Sequence, residues 1–101
     1  MKSVVVVEPY EIVRQLNDSG EIVFIVTDKI NLAAYNVELN VLSYRKVKYK
    51  FEAENVSKDG QKITITIPKN FLKKQENLTW ELNLYNDNEE ITAASGGFKI
   101  V

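Results

Sequence analysis

Lys62-Ile63-Thr64-Ile65-Thr66-Ile67-Pro68 and, after a short corner, Leu78-Thr79-Trp80-Glu81-Leu82-Asn83-Leu84 decide the fold. In both runs every second residue is large and apolar. Successive side chains of a strand point to opposite faces, so each run has one dry face and one wet face. A third stretch closes on Phe98-Lys99-Ile100-Val101. Segments of this kind joined by tight corners predict an antiparallel all-β protein.

Working outward, strands are expected near 3–7, 11–16, 21–27, 36–43, 45–53, 62–67, 78–85 and 90–101. Turn formers fall between them: Glu8-Pro9, Asn17-Asp18-Ser19-Gly20, Lys58-Asp59-Gly60, Asn86-Asp87-Asn88 and Ser95-Gly96-Gly97. The runs between are rich in Val, Ile, Tyr and Thr, which suit a pleated surface. Seven or eight short strands favour a sandwich, because a single sheet would leave its apolar face wet. A small β-barrel is the alternative. Glu21-Ile22-Val23-Phe24-Ile25-Val26 is apolar on both faces and is expected to be covered on both, centrally in the sandwich or by a partner. Asn70 to Gln75 invites one or two helical turns, with Phe71 or Leu72 plugging the end of the sandwich. Gly96-Gly97 predicts a bulge or sharp bend in the last strand.

The chain has 101 residues, 45% of them hydrophobic, enough for one domain over 1–101 with a single core. It contains no cysteine, so disulfides and thiolate metal sites are excluded. Thirteen basic residues face fourteen acidic ones, so the global charge that draws proteins to nucleic acid or anionic lipid is missing. Ser3-Val4-Val5-Val6-Val7 is too short to span a membrane, and Glu8-Pro9 follows it without a cleavage pattern. No signal peptide is visible.

Catalysis needs a proton-transfer group near its working pH, an activated nucleophile or a metal. Without histidine or cysteine, the common triads and imidazole or thiolate metal sites are gone. Glu52 and Glu54 share a strand face in the expected register, the nearest approach to a glycosidase pair. Asp87, Glu89 and Glu90 around Asn86 and Asn88 could offer oxygen ligands to calcium, but without a ligand-loop spacing they read as an ordinary hairpin turn. No catalytic residue, metal or cofactor is expected, and a small-molecule ligand is not expected either. Asn17-Asp18-Ser19, Asn55-Val56-Ser57 and Asn77-Leu78-Thr79 match the glycosylation pattern, which arises by chance in an Asn-rich chain.

The basic stripe Tyr44-Arg45-Lys46-Val47-Lys48-Tyr49-Lys50-Phe51 is the sharpest local feature. Lysines interleaved with aromatics could grip a single nucleic-acid strand. Period two instead puts Lys46, Lys48 and Lys50 on one face and Val47, Tyr49 and Phe51 on the other. The lysines then face water or guard an edge, and the aromatics enter the core. Trp80, with Leu82 and Leu84, is expected in the core as well, rather than exposed as a carbohydrate platform. Val4 to Val7 present methyls to both faces, so another layer of the domain or another chain must cover them. Val5, Val7, Lys46, Lys48 and Lys50 are the candidate partner contacts.

From Glu21 onward the order of features resembles the immunoglobulin-like N-terminal domains of phage baseplate upper proteins and related virion accessory domains. The stretches that carry it are Glu21 to Val26, Ile30-Asn31-Leu32-Ala33-Ala34-Tyr35-Asn36-Val37, Gly60 to Pro68, the strand through Trp80, and Phe98-Lys99-Ile100-Val101. The resemblance implies an immunoglobulin-like sandwich and a free-standing accessory domain, decorating a capsid or joining a tail or baseplate, located in the virion. It implies no catalytic residues, and partners that are other virion proteins or further copies of the chain. The alternative reading is an exported adhesin-like or carbohydrate-recognising sandwich, touching its ligand through Asn86 to Glu90, Tyr35 or Tyr85. An inhibitor of a host enzyme is a third possibility that the sequence does not separate from the first.

Overall fold

A computed structural model describes residues 11–26 and 31–101. It contains eight described strands: β1 (Glu11–Arg14), β2 (Gly20–Ile25), β3 (Asn36–Ser43), β4 (Lys46–Glu52), β5 (Val56–Asp59), β6 (Lys62–Ile67), β7 (Glu76–Tyr85) and β8 (Glu90–Ile100). They form a five-stranded sheet in the order β1-β8-β7-β3-β4 and a three-stranded sheet in the order β2-β6-β5. The protein is an immunoglobulin-like β-sandwich. All pairs are antiparallel except β1 with β8, which run parallel from Glu11↔Gly97 to Arg14↔Ile100. The antiparallel sandwich expected from the sequence thus forms, with this one parallel pair beside it.

The alternation read from the sequence is the alternation of burial. Ile63, Ile65 and Ile67 of β6 and Leu78, Trp80, Leu82 and Leu84 of β7 are all in the core. Between the sheets, the rings of Phe24 on β2 and Trp80 on β7 stand 5.2 Å apart at 49°. In antibody domains a disulfide joins the two sheets at the corresponding strands; here a tilted aromatic pair occupies that span. Gly96 lies across from Trp80 on β8.

Several expectations change. Gly96 and Gly97 sit in regular register, and the irregularity in β8 is at Ala93, skipped between Leu82↔Ala94 and Asn83↔Thr92. No helix forms over 70–75: Asn70 takes a positive φ of 62°, which ends any helical path. Leu72 nonetheless buries fully and Phe71 packs on Tyr49 and Phe51, so the plug exists without the helix. The two short 3-10 turns lie elsewhere, at Leu32–Ala34 and Ala53–Asn55. Strand β5 was not foreseen, because Val56 is its one apolar residue. The expected strand 3–7, with Val5 and Val7, lies outside the described residues.

β2 is not central. It pairs with β6 alone among the described residues, and while Ile22 and Phe24 point into the core, Val23 and Ile25 are 39% and 42% exposed. Of the two kinds of cover expected for an all-apolar strand, the sandwich supplies only one side.

Candidate functional site

Candidate contact residues on β4 divide between two fates. Phe51 is buried and Tyr49 half-buried, but Val47 is exposed, so the expected apolar face is incomplete. The reason is a bulge: Val41 pairs with Tyr49 and Leu42 with Val47, which leaves Lys48 without a cross-strand partner. One extra residue reverses the alternation beyond it. Val47 therefore lies across from outward-facing Leu42 instead of joining the core, and the single lysine face is broken at the same point. Lys48 donates to Glu76, which also has Lys74 at 3.9 Å, and Lys50 lies 3.6 Å from Glu38. Lys46 is exposed at the start of the strand. Because β4 is the last strand of the five-stranded sheet among the described residues, these cations flank that edge.

The β3–β4 connection is a two-residue hairpin made by Tyr44 and Arg45, both with positive φ, 51° and 69°. Two-residue hairpins that match strand twist need such angles at both central residues, hence the usual preference for Asn-Gly. Tyr and Arg carry no such tolerance. Tyr44 is also 97% exposed, an unpacked aromatic ring at the tip of a strained turn.

The opposite end of the sandwich is tied together by polar contacts. Asn31 caps the first 3-10 turn by accepting from the Ala33 amide. Lys58 on β5 reaches the carbonyls of Leu32 at 3.1 Å and Tyr35 at 2.6 Å. Asn86 Oδ1 accepts from the amides of Asn88 and Glu89, and its Nδ2 donates to the Ala34 carbonyl. The Tyr35 hydroxyl donates to the Glu89 carboxylate. That bond, then burial, then repulsion from the Glu89 charge raise the Tyr35 phenol above its ordinary value of 10.0. Hairpin 86–89 is thus a self-satisfied Asx turn, and no cluster of metal ligands occurs among the described residues.

The catalytic pair is also absent. Glu52 ends β4 while Glu54 falls in the second 3-10 turn, so they do not share a strand face. Beside them is a cleft of ≈ 140 Å³ lined by Asn36, Val37, Glu52, Ala53, Val56, Lys58 and Tyr85. It is well below the size of ordinary small-molecule sites. Trp80 is fully buried, as expected, and Tyr35 is only 6% exposed, so neither ring is a platform for a ligand. On the outer face of the five-stranded sheet, Asn40 is 8% exposed and donates to Glu38, yet its Oδ1 has no hydrogen-bond partner among the described residues. The bulge at Lys48 and the exposure of Tyr44 were missed. Tyr44-Arg45 between two alternating runs was the available signal, since a hairpin must turn there.

The sequence matches no family model and no curated protein. Among solved structures, the endo-β-1,4-mannanase from Thermotoga petrophila is similar, with a TM-score of 0.66 at 12% identity; the match covers 98% of this chain and 19% of the mannanase. This chain thus spans less than a fifth of that protein, and the likeness is one of fold.

Proposed function

We propose that the chain is a non-catalytic interaction module that works through protein–protein contact. A virion accessory role, decorating a capsid or joining a tail or baseplate, is the setting its sequence resemblance favours. The observation that carries the reading is β2: among the described residues it pairs with β6 alone, and it turns Val23 and Ile25 outward, across from Thr64 and Lys62. An apolar strip on a strand with an open edge is what strand-to-strand recognition uses. The absence of histidine and cysteine from the whole chain agrees with a role without chemistry.

Carbohydrate recognition has weaker support. The likeness to part of a mannanase raises it, but Tyr35 and Trp80, two of the rings that could stack on a sugar, are interior. The test is the double variant Val23→Lys with Ile25→Lys. It should melt cooperatively near the unmodified chain, because both side chains already face solvent, and should lose association with other chains in light scattering and co-purification. Association that survives the double variant refutes the role given to β2.

A further inference from the structure

Opposite ends of this sandwich carry opposite charge, an exposed knob and a matching hole. Residues 42–50 and 68–75 contain seven of the thirteen basic residues and none of the fourteen acidic ones. The two segments pack together through the Phe71 ring, 5.3 Å from Tyr49 and 5.2 Å from Phe51. Glu76 takes up Lys48 and lies beside Lys74, and Glu38 lies beside Lys50, whereas no ion pair within the described residues engages Arg45, Lys46, Lys69 or Lys73. At the other end, residues 52–62 and 86–90 contain Glu52, Glu54, Asp59, Asp87, Glu89 and Glu90 against Lys58 and Lys62, the latter across from Asp59. Lys58 is turned inward onto two backbone carbonyls. Strand β3 runs from one end to the other, about 25 Å at the usual rise of a strand, which exceeds the screening length of ordinary salt. Within one molecule the two ends therefore do not neutralise each other.

Shape agrees with charge. The basic end projects Tyr44, and the acidic end holds the cleft floored by Val37, Ala53, Val56 and Tyr85. A cavity of about that size takes a single benzene ring. Among the described residues, five that are not glycine have positive φ. Two are Asn17 and Asn70, a residue type that tolerates it; the other three are Tyr44 and Arg45 at the knob and Ala53 at the cleft. Strain unrelieved by residue choice collects where side chains are kept for recognition.

Building on the interaction-module reading, we propose that the partner of this surface is a second copy of the chain: Tyr44 of one molecule enters the Val37–Ala53–Val56–Tyr85 cleft of the next, with Arg45 and Lys46 facing Glu52 and Glu54. Such a contact is head-to-tail. Each terminal molecule keeps one end unsatisfied, so the contact continues into rows unless a ring closes.

Sedimentation velocity of the full chain, over a concentration series, tests this. Species larger than a dimer should form at low salt and dissociate as salt rises from about 0.1 M to about 1 M. Tyr44→Gly suits the positive φ and so preserves the hairpin; Glu52→Lys changes an exposed side chain with no hydrogen bond of its own. Each should weaken association about tenfold or more. Mixed in equal amounts, the two variants should form a dimer and nothing larger, since one retains only the cleft and the other only the knob. A chain that stays monomeric at low salt overturns the proposal. Self-association unchanged by both variants overturns it too, and would place the contact elsewhere, such as β2, leaving the module reading intact.

Discussion

Replacing Trp80 by alanine tests the keystone of the sandwich. Trp80 is fully buried, stacks at 5.2 Å on Phe24 of the opposite sheet, and faces Gly96 across the ladder. An aromatic side chain removes about 200 Å² from water, which at about 25 cal/mol per Å² is about 5 kcal/mol of transfer free energy. The ring pair adds about 1 kcal/mol. Partial collapse of neighbours returns some of this, and measured truncations of buried Phe or Trp fall at about 3–5 kcal/mol. A domain of this length has about 5–15 kcal/mol in total. The variant should therefore fold with much of its margin gone, its melting temperature lower by about 15 °C or more. Urea titration followed by far-UV circular dichroism, with Trp80→Phe as the volume-sparing control, measures the loss. A midpoint lowered by less than about 1 kcal/mol equivalent would mean the indole does not bridge the sheets, and the inter-sheet account would fail.

Two further outcomes follow from single polar groups. The Tyr35 phenol has a folded value raised above 10.0, so the fold favours its neutral form; that contribution is complete below pH 10 and is lost as pH climbs through the folded value. Tyr35→Phe should therefore flatten the alkaline fall in stability, read as the difference in urea midpoint between neutral and strongly alkaline buffer, and an unchanged slope would contradict the assignment. Asn40→Val removes a buried acceptor that has no partner among the described residues and places a β-branched residue on a central strand. It should leave stability unchanged or raise it by about 1 kcal/mol in the same titration, despite losing the bond to Glu38; a loss above that size would show that Asn40 is a needed anchor of the outer face.

How far the sequence could be read depended on whether one strand settled its own faces. β6 and β7 did, because Ile63, Ile65 and Ile67 and then Leu78, Trp80, Leu82 and Leu84 leave no second register with a dry side. β2 could not: Ile22, Val23, Phe24 and Ile25 read the same in either register, and sheet order, which no single strand encodes, leaves it with β6 as its one neighbour among the described residues. β4 misled in the opposite way. Its alternation was regular from Lys46 to Phe51, and the structure breaks it at Lys48 because the tight Tyr44-Arg45 turn and the Leu39↔Phe51 pairing fix both ends of a strand one residue too long to match β3. β5 was invisible, since Val56 alone marks it and its neighbours are polar.

The candidate surfaces were hidden for a further reason. A net charge of −1 reports only the sum over the chain, and a sum near zero is equally compatible with mixed charges and with charges sorted to two ends. Sorting depends on the fold. Folding packs the 68–75 segment on Tyr49 and Phe51 of β4 and brings Glu52 and Ala53 to one cleft with Tyr85, so basic and acidic runs interspersed along the chain gather in different parts of the surface. The expectation drawn from overall balance, that a global drive towards nucleic acid or anionic lipid is missing, concerns long uniform polyanions; it does not bear on a partner that presents a local acidic surface, such as the second copy proposed above.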